Sequence, residues 1–253
     1  MTSLSKVAVT YTPTQIAQLK GLGFSDALVG TPRRLIASVE GRDKTGKTNF
    51  ALTAPPPIVF FNIDIGTEGV VGKFQEAGKQ VFVYDVRVPK GASQNVYTTM
   101  WSDFKHRMGV AYTLGTGSVV VDTSSEGFEL ARLSHFGKLT QVMPHHYTEV
   151  NSEWRELMRL AYDSAMNTIF VHKQKPKYVN NARTSEYELA GFGEMGYLSQ
   201  INLVTYCEPN IATGKPDFSV YVKNCRHNPD VSGQVLRGPL CNFEFLLSLV
   251  HSK

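Results

Sequence analysis

The sequence has no apolar run long enough to cross a bilayer. Its opening residues, Met1 to Thr10, lack the basic stretch followed by an apolar block that marks a secretory signal. Both absences lead to the expectation of a cytoplasmic protein with no membrane partner. Cysteine is scarce. Cys207, Cys225 and Cys241 are odd in number, widely spaced and form no CxxC pair, which argues for free thiols over a disulfide framework or a zinc site. The adjacent His145 and His146 have no acid or cysteine at metal-ligand spacing. Acidic residues are missing between 172 and 183, where Lys173, Lys175, Lys177 and Arg183 stand, although the net charge of the whole chain is only +4. There is no internal repeat and no low-complexity tract.

What is present is enough for one large core: 253 residues, 42% of them hydrophobic. Short apolar runs alternate with helical patterns, the signature of an α/β domain with a largely parallel sheet. Residues 1–33 read as a leader with a short helix over 14–19, and 34–253 as one domain. Within that domain the runs at 34–40, 58–63, 80–86, 118–121 and 168–171 read as strands, and 201–206 with 218–222 as an antiparallel extension. Helices are expected over 47–53, 70–77, 96–108, 125–133, 193–200 and, most clearly, 152–166. In the last of these, Trp154, Leu157, Met158, Ala161 and Ala165 share one face, so Trp154 belongs to the core. Residues 134–150 and 173–190 read as loops.

The first strand runs into Gly41-Arg42-Asp43-Lys44-Thr45-Gly46-Lys47-Thr48. This is the GxxxxGK[ST] pattern. The glycines let the loop wrap so that successive main-chain N–H groups face phosphate oxygens. Lys47 supplies a point charge for the terminal phosphates, and the Thr48 hydroxyl can ligate Mg²⁺. With Asn49, the stretch Gly41–Asn49 is the expected ATP-binding segment. The strand before it and the helix after it supply the context that the pattern requires. Asp122 ends a run of three valines and so places a carboxylate at the carboxyl edge of the sheet. There it can support the metal through its water shell.

Two further strands fall between Thr48 and Asp122, and from about Leu35 to Arg226 the chain resembles a phage-type RecA-core ATPase, similar to the single-strand annealing and recombination ATPases of phages. The resemblance implies a RecA-like P-loop fold, ATP with Mg²⁺, and single-stranded DNA as partner. In that family a carboxylate after the second strand activates the attacking water; Asp64 and Glu68 both qualify here, with Glu68 preferred. A polar residue at the end of the fifth strand senses the γ-phosphate, a place taken by His172. The loop after it meets DNA, which implies contacts from Lys173, Lys175, Lys177, Tyr178, Asn180, Asn181 and Arg183, with His135 to Tyr147 as a second such loop. Lysines there would release counterions from phosphates and the tyrosine would stack on a base. Finally, Val222-Lys223-Asn224-Cys225-Arg226 resembles the strand end of RecA-fold hexameric helicases, whose cations reach a neighbouring subunit's γ-phosphate. By that likeness Lys223 or Arg226 acts across an interface, in a homo-oligomer with ATP between protomers.

Two other function classes fit the phosphate loop. A small-molecule P-loop kinase would carry an arginine-rich lid, whereas 173–190 holds three lysines and one arginine. An assembly or packaging module would retain ATP without DNA-stimulated turnover.

Overall fold

The computed structural model of the chain describes residues 12–24, 33–64, 68–139, 142–180, 182–210 and 213–252. Two compact units are present, residues 1–31 and 32–253. The first holds helix α1 (Pro13–Gly21), started by a capping box: the Gln15 amide donates to the Thr12 hydroxyl while the Thr12 amide donates to the Gln15 side chain. None of its residues is buried.

The second unit is built on one sheet. Strands β1 (Ile36–Gly41), β2 (Ile58–Asn62), β3 (Val81–Asp85), β4 (Ser118–Asp122), β5 (Asn167–Val179) and β7 (Ile201–Pro209) run parallel in the order β3-β2-β4-β5-β1-β7. Strands β8 (Pro216–Cys225) and β9 (Val235–Arg237) extend it antiparallel beyond β7. Side chains alternate along each strand, so each face collects its own core. Leu35, Ala37 and Val39 pack with α2 (Lys47–Leu52) and α8 (Phe243–His251). Ile36, Val119 and Val121 pack on the opposite face with α4 (Gln94–Tyr112), α5 (Ser124–Phe136) and α6 (Tyr147–Asp163). Trp154 is fully buried there, stacked on Trp101 with ring centres 5.8 Å apart. Helices α3 (Val71–Glu76) and α7 (Met195–Leu198) are short. No helix among the described residues is long and apolar enough to cross a membrane. The fold is α/β: a mainly parallel sheet, helices on both faces, and a C-terminal antiparallel extension.

Two segments read as loops are structured. Residues 134–150 contain the end of α5 and the first turn of α6, which begins at Tyr147. Residues 173–190 form a hairpin: β5 runs on to Val179 and returns as β6 (Ala182–Leu189). Val179 pairs with Ala182, leaving a two-residue turn in which Asn180 takes φ 51°, a conformation that asparagine tolerates and hairpin turns demand. Pro176, which argues against a strand interior, sits at the register shift between Pro176 and Tyr178. Residues 1–11, 25–32 and 65–67, and Asn181, lie outside the described residues.

Candidate functional site

The phosphate loop leaves β1 at the carboxyl edge of the sheet and closes at the start of α2. Its conformation depends on two glycines. Gly46 has φ 87°, in the left-handed region that side chains disfavour. A Cβ on Gly41 would lie 2.2 Å from the Thr205 hydroxyl of β7 and 2.7 Å from that of Thr45. Those two hydroxyls bond each other at 2.6 Å and tie the loop to β7. The Lys47 ammonium folds back over the loop, donating to the carbonyls of Gly41 (2.9 Å) and Arg42 (2.5 Å). Burial lowers its pKa, against the fields of Asp122, Asp43 and Asp64.

The Thr48 hydroxyl donates to the Asp122 carboxylate at 2.6 Å. This single contact brings the two halves of the expected site together. Asp122 is buried at the end of β4, and its pKa is pushed up to about 6 by that burial, against the Thr48 hydrogen bond and the Lys47 charge. A hydroxyl and a carboxylate are hard oxygen ligands of the kind Mg²⁺ takes, and Mg²⁺ bound with substrate phosphates needs only one or two protein groups. No group of three or more His, Cys, Asp or Glu that could hold a metal occurs among the described residues. The donor set therefore fits a nucleotide-borne Mg²⁺ and offers no all-protein cage.

A cavity of about 690 Å³ opens over the loop, lined by Gly41–Asn49 together with Asp64, Asp122, Lys173, Gln174, Tyr187 and Phe218 among others. Asp64 is thus at the cavity, its amide 3.3 Å from the Asp122 carbonyl. Glu68, preferred on sequence, is exposed and is not among the lining residues. The reason is that Asp64 sits where β2 ends beside β4, while Glu68 lies further along the connection to α3.

His172 departs from expectation in the same way. It pairs in register with Glu40 inside the sheet, is fully buried, and does not line the cavity. Burial drives its pKa down to about 3, against a backbone contact with Ala190, so the ring is neutral. Its neighbour Lys173 is the residue that lines the cavity. The Lys173 ammonium lies 2.7 Å from Glu126 and 3.2 Å from Asp64. Burial opposes its charge, but these two carboxylates outweigh burial and raise the pKa.

The remaining lysines of the hairpin are paired across its two strands. Lys175 meets Glu188 at 3.3 Å and Lys177 meets Glu186 at 2.7 Å. The acid-free run in the sequence is therefore not acid-free in space. At the tip, Tyr178 (61% exposed) and Arg183 lie opposite one another, and Arg183 has no ion pair among the described residues. A second cavity, about 620 Å³, lies between this hairpin and the β7–β8 strands. Lys223 borders it and reaches the buried Glu40 at 3.4 Å. Arg226 is at the opposite, amino edge of the sheet: its amide donates to Gln200, which precedes β7, and its guanidinium donates to the Tyr197 carbonyl and the Tyr162 hydroxyl. His135 bonds Glu153 between helices instead of standing in an open loop.

Sequence reading missed Phe218 and Tyr187 as cavity residues. The signal for Tyr187 was weak, since only the hairpin pairing brings it back to the loop, where the Arg42 guanidinium sits 5.1 Å from its ring centre.

A phosphate loop on β1, with a buried acid two strands away on β4, defines an α/β fold of the P-loop type. Among solved structures the chain is similar to a KaiC-like protein from the hyperthermophilic archaeon Pyrococcus horikoshii, with a TM-score of 0.47, 13% identity, and coverage of 80% of this chain and 84% of that one. No family model matches the chain and no curated protein does. The fold assignment rests on the sheet order and the loop.

Proposed function

We propose that this chain binds ATP with Mg²⁺ in the loop cavity, hydrolyses it, and couples turnover to single-stranded DNA in recombination or annealing. The observation that carries the nucleotide part is the Thr48–Asp122 hydrogen bond beneath a loop already wrapped around the Lys47 ammonium. Loop amides and Lys47 hold the triphosphate. Thr48 and Asp122 are the residues that would hold Mg²⁺, which when bound neutralises charge on the β and γ oxygens. Asp64 orients the attacking water and takes its proton as the water oxygen bonds to the γ-phosphorus. The bond from that phosphorus to the β–γ bridging oxygen breaks, leaving ADP and phosphate. Lys173, beside Asp64, offers a second cation to the terminal phosphate.

For DNA, the exposed Tyr178 and Arg183 at the hairpin tip support a stacking and phosphate contact. Lys173 serves the nucleotide instead, and Lys175 and Lys177 take part only by leaving their glutamates. For assembly, the loop cavity and Arg226 lie at opposite edges of one sheet. Arg226 therefore meets a γ-phosphate only when copies stack head to tail, the heterologous arrangement that builds rings or filaments.

The test is ATP hydrolysis with and without single-stranded DNA at two salt concentrations. Stimulation that fades with salt is the expected result. Hydrolysis that ignores DNA, with no DNA retained at low salt, removes the recombination reading and leaves an ATP-retaining assembly module. Phosphate transfer to a nucleotide would make the protein a kinase.

A further inference from the structure

We propose that Phe218 is the platform on which the base of the bound nucleotide stacks, an inference that rests on the cavity's being a nucleotide site. Strand β8 is antiparallel to β7, so its early residues rise to the carboxyl edge beside the phosphate loop. Val220 pairs with Thr205, which pairs in turn with Gly41. Val222 and Val220 alternate onto the face of α2 and are buried at 0% and 1% exposure. Phe218 is the next residue of that alternation, but the core has ended. Its ring is 42% exposed and lines the loop cavity. The ring edge sits against the loop, since a Cβ on Gly46 would come within 3.0 Å of it.

Position across the sheet fixes which end of a nucleotide the ring can meet. In the order β4-β5-β1-β7-β8, Asp122 is two strands to one side of the phosphate loop and Phe218 two strands to the other. Four steps of about 4.8 Å separate them by roughly 19 Å. Asp122, Asp64 and Lys173 all gather on the first side, where the metal and terminal phosphate belong. A nucleotide lying along the loop therefore carries its base toward β8. The other aromatic of the cavity, Tyr187, belongs to the hairpin off β5 and is engaged by Arg42, so it stands at the phosphate end. An exposed aromatic face beside a polar loop suits stacking, which any base satisfies because every base has a π-face. The ring face has no donor or acceptor with which to distinguish one purine from another.

The experiment compares Mg²⁺-ATP, Mg²⁺-GTP and inorganic tripolyphosphate binding by calorimetry in the full chain and in F218A and F218W. We expect F218A to weaken ATP and GTP alike, by roughly 10- to 100-fold, and to leave tripolyphosphate unchanged. F218W should restore both nucleotides, with tryptophan emission quenched by ATP and not by tripolyphosphate. Unchanged ATP affinity in F218A overturns the proposal. So does an equal loss of tripolyphosphate, which would make Phe218 a prop for Gly46. If the unaltered chain binds none of the three ligands, the nucleotide reading itself falls, an outcome distinct from ATP binding that ignores Phe218.

Discussion

The phosphate loop and the β5–β6 hairpin both carry clustered cations and touch each other through Arg42 and Tyr187, yet they handle charge in opposite ways. In the loop, Lys47 donates to two main-chain carbonyls and has no ion pair among the described residues. In the hairpin every lysine faces a carboxylate: Lys173 with Glu126 and Asp64, Lys175 with Glu188, Lys177 with Glu186. A cation resting on carbonyls can exchange them for phosphate at little electrostatic cost. One resting on a carboxylate must first surrender a partner of full charge. Lysine density in a sequence thus says less about anion affinity than the neighbours each lysine acquires on folding.

The comparison breaks most directly at Lys47. K47A should weaken Mg²⁺-ATP about 100-fold, the loss of charge-assisted hydrogen bonds worth ~1.5–3 kcal/mol, as measured by calorimetry; retained affinity would end the contrast with the hairpin lysines. Asp122 tests the other half of the loop site. Its folded pKa of about 6 lies above its ordinary 3.8, so the folded state holds the proton more tightly. The stability linked to that proton is complete below pH 3.8 and lost as pH rises through about 6. D122N removes the buried charge. The ligand-free variant should therefore be more stable than the unaltered chain by about 3 kcal/mol at pH 8 and equal to it near pH 3. Denaturant titrations at both pH values read this directly, while Mg²⁺-dependent ATP binding should fail in the same variant. A gain at pH 8 that persists unchanged at low pH would show that burial of the charge is not its origin.

Gly46→Ala sharpens the claim that the loop is shaped in advance. The left-handed backbone there should cost roughly 1–2 kcal/mol, and the added methyl would press on Phe218. A variant as stable as the parent, with full ATP affinity, would show that the loop can take another shape. The smallest effect is expected in the hairpin. Replacing Glu186 and Glu188 with glutamine frees Lys177 and Lys175, which should strengthen single-stranded DNA binding and steepen its salt dependence by about 0.7 log units per phosphate gained. Filter binding across a salt series would detect it. An unchanged slope means that these lysines never meet DNA. K177A alone should melt like the parent, because its ion pair is on the surface.

Much of the site was legible in the residues. Lys47, Thr48 and Asp122 were readable because an eight-residue pattern and a valine run ending in an acid are local, and both stand as expected at the carboxyl edge. Which of Asp64 and Glu68 lines the cavity was not, since that depends on how far β2 runs beside β4 before the chain turns away. Nor was the exchange of His172 for Lys173 at the cavity. A strand sends successive side chains to opposite faces, so of the neighbours His172 and Lys173, both inside β5, one lines the cavity and the other is buried in the sheet.

The sequence by itself determined the backbone shape of the phosphate loop and the alternating pattern that makes a parallel sheet, because glycine torsions and side-chain period depend on residues a few positions apart. Tertiary structure alone decided which aromatic stands beside the loop, which carboxylates claim the hairpin lysines, and that Arg226 lies at the far edge from the cavity. Those facts follow from strand order and register, which join residues far apart in the chain through packing that no short stretch of sequence contains.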